Sequence, residues 1–169
     1  MIDYGDWCIS PIPGTGAQWL MEAARLAGYN KFTLTANELY WAAPAENYRG
    51  LTVSMVRHPV QWNLRLYQQL PEGHALFGRG FSHYVRETYL KYGPDMLWRA
   101  VQASRAKTLM RWEDMPWAAV QFFDSLGVAA DKLNAVKQLT LDAPYRADPP
   151  VAQFILQCEP ALCEHFDYW

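Results

Sequence analysis

Two spacings of apolar residues alternate along the chain, and they predict strands and helices in turn. Short apolar or β-branched runs predict four strands, the clearest being Leu51–Val56 with the sequence LTVSMV. Apolar residues three or four positions apart predict amphipathic helices. The predicted strands are Asp6–Ile12, Lys31–Thr35, Leu51–Val56 and Lys107–Arg111. The predicted helices are Thr15–Ala27, Pro59–Gln69, Phe81–Lys91, Asp95–Ser104 and Met115–Leu126, followed by two or three short helices.

Strands separated by helices predict an α/β fold, because crossover helices join parallel strands. The strands are few and short, so we expect a small, mainly parallel sheet flanked by helices and a helix-rich C-terminal half. The chain has 169 residues and no linker-like stretch. This length predicts one domain over residues 1–169.

The composition excludes several classes of protein. Apolar residues make up 51% and charged residues 19%, so the chain is not intrinsically disordered. A net charge of −2 gives no bulk electrostatic reason to bind nucleic acid or an anionic membrane. The apolar runs are too short to span a bilayer, and the acidic start MIDYGDWC does not resemble a signal peptide. We therefore expect a cytoplasmic protein.

The three cysteines are too few for a disulfide scaffold. Cys158 and Cys163 are five residues apart, with acidic residues and a histidine nearby. A zinc site usually needs four well-spaced ligands. We therefore expect buried thiols here, and no metal.

The first candidate site is a glycine-containing turn between the first predicted strand and the first predicted helix. Gly14 and Gly16 would let backbone N–H groups and a helix N-terminus approach a phosphate, and Thr15 would donate a hydroxyl or cap the helix. A tight turn with a capped helix explains the same residues. The Lys-Ser/Thr ending of the P-loop and the dinucleotide glycine pattern are both absent.

The second candidate site follows the strand Leu51–Val56. Arg57 stands where ligands bind in open α/β sheets, at the carboxyl end of a strand. Arg65 lies about two helical turns further on, so the two cations would clamp a doubly charged phosphate. An arginine bonded to a carboxylate or to helix C-terminal carbonyls is the alternative.

A third segment, Lys107–Gly127, combines a strand, an acidic turn and an amphipathic helix, and helix capping and core packing explain it fully. Together the three segments resemble the P-loop-like sulfotransferases, which transfer sulfuryl groups from 3′-phosphoadenosine 5′-phosphosulfate (PAPS). The resemblance covers about residues 6–127. It rests on Pro13-Gly14-Thr15-Gly16-Ala17-Gln18-Trp19-Leu20, Val56-Arg57-His58-Pro59, Arg111-Trp112-Glu113-Asp114-Met115 and Phe123-Asp124-Ser125-Leu126-Gly127.

The resemblance implies a P-loop NTPase-like fold of the sulfotransferase type, with PAPS or its product PAP as the cofactor. It implies that Gly14, Thr15, Gly16, Ala17, Gln18 and Trp19 hold the 5′-phosphosulfate. It further implies that Arg57 and Arg65, the latter at the family's Ser position, hold the 3′-phosphate. The acceptor is unknown: a hydroxyl compound, a macromolecule or a partner protein. A bacterial or phage-encoded protein would suit this compact chain.

The general base of such an enzyme is a Glu or a His, for which Glu38 is the first candidate and His58 the second. Glu46 and His83 are further candidates. The family's loop Lys or Arg falls on Gly14, and losing such a cation typically costs orders of magnitude in rate. A catalytically degenerate binding or interaction module is therefore the alternative. A kinase-like phosphoryl transferase is a third hypothesis, with neither the P-loop Lys nor a clear Mg²⁺-binding Asp to support it.

Overall fold

The structure is a computed structural model that describes residues 1–34, 48–141, 143 and 146–169. This part of the chain is α/β, with five strands, eight α-helices and one short 3-10 helix. The strands are β1 (Ile2–Asp3), β2 (Trp7–Ile9), β3 (Thr33–Leu34), β4 (Leu51–Val56) and β5 (Thr108–Arg111). The helices are α1 (Ala17–Leu26), α2 (Pro59–Gln68), α3 (Phe81–Tyr92), α4 (Met96–Ser104), α5 (Trp117–Ser125), α6 (Ala130–Lys137), α7 (Pro149–Cys158) and α8 (Pro160–Phe166), and the 3-10 helix is Trp112–Asp114.

The five strands form one mixed sheet in the order β3-β1-β2-β4-β5. β2, β4 and β5 are parallel, with Ile9 opposite Val53 and Val53 opposite Thr108. β1 pairs antiparallel with both β2 and β3. The expectation of a mainly parallel sheet is therefore correct for only three strands. β1 has two residues, too few to produce a periodic pattern, so no spacing of apolar residues predicts the antiparallel edge of the sheet.

The predicted helices and strands are present in the structure, most of them with slightly different ends. The strand Leu51–Val56 has the predicted bounds, and the first predicted strand shortens to β2. The helix predicted over Met115–Leu126 spans Trp117–Ser125 in the structure. The two acidic residues that precede it, Glu113 and Asp114, lie in the 3-10 helix Trp112–Asp114. Of the second predicted strand, Thr33 and Leu34 are in a strand, while Thr35 lies outside the described residues.

The described chain forms two compact units, Met1–Val56 with Val101–Ala143 and Arg57–Ala100 with Pro144–Trp169. In the first unit, α1, α5 and α6 pack together, and α5 packs on β5. Their buried apolar side chains and those of the sheet form one core, because each amphipathic helix must cover its apolar stripe. Trp7 is almost completely buried there, with its ring stacked on Tyr4 at a centroid distance of 4.4 Å.

In the second unit, α2, α3 and α7 pack together around a separate apolar core. Its buried residues are Val60, Leu64, Tyr84, Val85, Tyr89 and Ile155. None of the described helices is long and apolar enough to cross a membrane.

A buried carboxyl group, that of Glu159, joins three elements of the second unit. The side chain is completely buried. Its oxygens accept hydrogen bonds from the Tyr89 hydroxyl at 3.0 Å and from the Leu97 amide at 3.0 and 3.1 Å. The Asn63 amide nitrogen donates to the Tyr89 oxygen at 3.1 Å, so the chain of bonds extends to α2. Glu159 therefore caps the start of α4 from the residue before α8.

Asp95 makes the reciprocal connection. Its carboxylate accepts a bond from the Ala161 amide in the first turn of α8 at 3.0 Å. Its own amide donates to the Cys158 carbonyl at 2.7 Å. The N-termini of α4 and α8 are thus each capped by a carboxyl group that belongs to the residue before the other helix, which satisfies amides that a helix leaves without acceptors.

Candidate functional site

The loop between β2 and α1 has the backbone that the glycines predict. Gly14 has a φ of 76° and Gly16 a φ of 111°, values that glycine adopts without steric cost. Gly16 is the N-cap of α1 and contributes no side chain to cap it. The first N–H groups of an α-helix have no intrahelical acceptor. The start of α1 therefore presents donors and the positive end of a helix dipole, as an anion site requires.

Thr15 stabilises this loop through hydrogen bonds to the loop's own backbone. The residue is completely buried, and its hydroxyl donates to the Ile12 carbonyl at 2.7 Å. Its amide donates to the same carbonyl at 3.3 Å. Both donors are used within the loop, so Thr15 holds the turn closed in this conformation.

Two tryptophans pack beside the loop. A Cβ on Gly16 would lie 2.5 Å from a ring carbon of Trp112 and 3.3 Å from the Met55 methyl group. The Trp112 and Trp19 rings meet edge to face with centroids 6.1 Å apart. The Trp19 indole donates to the Thr140 carbonyl at 3.2 Å, which holds that ring in place. Position 16 therefore requires glycine for its φ and also for space.

The carboxyl ends of the parallel strands lie at the edge of the sheet where this loop begins. The Ser54 hydroxyl of β4 donates to the Ser10 carbonyl at 2.7 Å, which connects the two strand ends. Arg111 ends β5 and pairs in register with Val56 at the end of β4. Its Nε lies 3.6 Å from an Asp114 carboxylate oxygen. Sequence reasoning missed Arg111 as a candidate cation, although the argument used for Arg57 also applied to it.

The second group of predicted residues belongs to the other unit. Arg57 directly follows β4 and is buried, with 2% exposure. His58 is the N-cap of α2: its Nδ1 accepts from the Val60 amide at 3.3 Å, and its ring lies 5.0 Å from that of Tyr168. This bond explains His58 as a helix cap, and its role as a base stays a prediction. Arg65 is half-buried on α2.

Glu38 and Glu46 lie outside the described residues, so the general base stays a prediction. Within the described ranges, no group of three or more His, Cys, Asp and Glu residues is arranged to hold a metal ion. The three thiols are not in disulfides. Burial raises the pKa of Cys8 and of Cys163 to about 11 in each case, which makes both poor nucleophiles.

Comparison of the chain with protein-family models, with curated proteins and with solved structures finds no match in any of the three.

Proposed function

We propose that this chain is a small sulfotransferase-like protein with a P-loop NTPase-like fold of the sulfotransferase type, and that it binds PAPS or a related phosphoadenosine nucleotide. The observation that carries the proposal is the loop Gly14–Gly16. It leaves a parallel strand, has two glycines at positive φ and ends at a helix start without a side-chain cap. Such a loop offers several backbone donors to one phosphate group.

The neighbouring aromatic side chains support a nucleotide over inorganic phosphate. Trp19 is half-buried and lies in the first turn of α1, and Trp112 packs against it. Indole rings stack on purine bases and contribute about 1–3 kcal/mol per base. Arg111 at the end of β5 adds a cation to the same edge of the sheet.

Sulfuryl transfer to a hydroxyl acceptor is the activity that the resemblance implies. In that reaction, the acceptor oxygen attacks sulfur in line, the bond from sulfur to the phosphate oxygen breaks, and the nucleotide leaves as PAP. A preorganised cation stabilises the charge that develops on the transferred group. Gly14 stands where the family has that cation.

A catalytically degenerate nucleotide-binding or interaction module is the second candidate function. Gly14 in place of a cation favours it, and so does the Thr15 hydroxyl, which already donates to Ile12. The two candidates share the nucleotide and differ in turnover, so binding is the first property to test.

Calorimetric titration with PAP tests the proposed site through a charge placed at the start of α1. Gln18 is exposed in the first turn of α1, so Gln18→Glu would add a negative charge beside a phosphate bound at this helix start. Two like unit charges about 6 Å apart in water repel by about 0.7 kcal/mol, so for a doubly charged phosphate at such a separation we expect a loss of about 1.4 kcal/mol, or about tenfold in affinity. Gln121→Glu makes the same change at an exposed position in α5 and is the control.

Micromolar binding that Gln18→Glu weakens about tenfold and Gln121→Glu leaves unchanged would support the proposal. No binding at millimolar PAP, or equal affinity for both variants, would refute it. Arg57→Ala and Arg65→Ala then test separately whether these arginines hold the 3′-phosphate. Binding of PAP without release of PAP from PAPS, across a panel of hydroxyl acceptors, would favour the degenerate module.

A further inference from the structure

The second unit has an apolar groove between α3 and α7. Its residues are distant in sequence from the glycine loop. It consists of two cavities of about 370 and 260 Å³, and Arg86 and Phe154 line both. The larger cavity is also lined by Tyr89, Leu90 and Cys158. Ligand sites are typically concave and mostly apolar, with a few polar groups, and the larger cavity has a volume within their usual range of about 300–1,000 Å³.

The helix geometry explains the groove. Ser82, Arg86 and Leu90 are spaced four residues apart on α3 and therefore share one face. Phe154 and Cys158 have the same spacing on α7. Leu90 is 82% exposed and Phe154 is 37% exposed, so two large apolar residues at the groove remain in contact with water.

Tyr89, which lines the larger cavity, is held in place by two contacts. The Tyr89 ring meets the Phe154 ring edge to face, with centroids 6.1 Å apart. The Tyr89 hydroxyl is bonded to the buried Glu159 carboxyl group at 3.0 Å. A tyrosine held at both ends gives the cavity a wall that need not rearrange when a ligand binds.

The charges at the groove are arranged asymmetrically. Arg86 is exposed and makes no hydrogen bond or ion pair with any residue that the structure describes. It is the charged residue that lines the smaller cavity, beside the Ser82 hydroxyl. Glu87 lines the larger cavity and would repel an anion there. A ligand with an anionic head and an apolar chain therefore fits in one direction, with its head at Arg86.

We propose that this groove binds a single-chain amphiphilic carboxylate, with the carboxylate on Arg86 and the Ser82 hydroxyl and the alkyl chain along Phe154 into the larger cavity. The proposal is independent of the nucleotide site. The alkyl chain would cover Leu90 and Phe154 and would reach the Cys158 thiol. A guanidinium binds a carboxylate through two parallel hydrogen bonds, which gives the head group its specificity.

The test uses Cys158 as a reporter in the intact chain. Cys158 is half-buried and lines the groove, whereas Cys8 and Cys163 are completely buried and serve as internal controls. The rate at which N-ethylmaleimide alkylates Cys158 is followed by mass spectrometry, with octanoate or with its uncharged analogue 1-octanol. We expect octanoate to slow the reaction at least fivefold at saturation.

Two variants distinguish binding of the carboxylate head group from binding of the alkyl chain. Arg86→Ala should raise the octanoate concentration for half-protection about tenfold, because one charge-assisted pair is lost. Arg79→Ala removes an exposed arginine that lines neither cavity and should leave that concentration unchanged. Protection by 1-octanol should be the same in the wild type and in Arg86→Ala.

Three results would overturn the proposal. The first is no protection of Cys158 by millimolar octanoate. The second is equal half-protection in the wild type and Arg86→Ala. The third is alkylation that slows as the protein concentration rises without octanoate, which would assign the groove to a second copy of the chain.

Discussion

Removal of the buried Glu159 carboxyl group should destabilise the second unit more than any surface change. Glu159→Ala takes away the acceptor of the Leu97 amide and of the Tyr89 hydroxyl, both of which are buried. A buried donor left without an acceptor costs about 1–3 kcal/mol. The two donors together predict a loss of about 2–6 kcal/mol in the free energy of unfolding, a large share of a typical domain's stability.

Urea unfolding followed by tryptophan fluorescence and circular dichroism measures this loss. Glu164→Ala is the matched control, since Glu164 is exposed on α8 and the same side chain is removed. We expect the control to stay within about 0.5 kcal/mol of the wild type. A Glu159→Ala variant as stable as Glu164→Ala would refute the reasoning, because the buried donors would then have found other partners.

The same carboxyl group should make stability depend on pH. Burial raises the pKa of Glu159 above its ordinary value of 4.5, and the nearby Asp95 carboxylate adds to the increase, against hydrogen bonds from Leu97 and Tyr89 that lower it. The folded state therefore holds this proton more tightly than the unfolded state. The contribution to stability is complete below pH 4.5 and is lost as the pH rises through the raised pKa. Relative to Glu159→Gln, the wild type should lose stability from acidic to neutral pH. A difference that is flat with pH would contradict this.

The glycine loop provides two further predictions. Gly16→Ala should destabilise the chain by at least about 2 kcal/mol, because a Cβ at a φ of 111° would also overlap the Trp112 ring, whereas Gly73→Ala has open space and is the control. Urea unfolding compares the two variants, and equal stabilities would contradict the described packing. Gly14→Lys places a cation where the sulfotransferases that the sequence resembles have one, at a backbone cost of about 1–2 kcal/mol, and under the proposed function it should tighten PAPS binding about tenfold. Titration of the variant with PAPS checks this, and unchanged affinity would argue against a phosphosulfate at this loop.

Apolar spacing located most helices and the parallel strands because those signals are local. The run Leu51–Val56 is a strand in the structure with the same bounds, and Pro59 begins α2 as its fixed φ favours. The turn glycines Gly14 and Gly16 were identified for the same reason. A left-handed backbone between a strand and a helix depends on the residue itself.

What the sequence alone determined about this protein is therefore its α/β class, its strand–loop–helix order and the glycine turn. Tertiary structure decided how the side chains at these positions are used. It placed Trp112 against Gly16 and directed the Thr15 hydroxyl to Ile12. It also buried Glu159, the residue before α8, against the start of α4. It also created the groove at Arg86. Apart from the bond between Thr15 and Ile12, which spans three residues, these contacts join residues far apart in the chain, and no local pattern encodes which distant side chain will fill a given space.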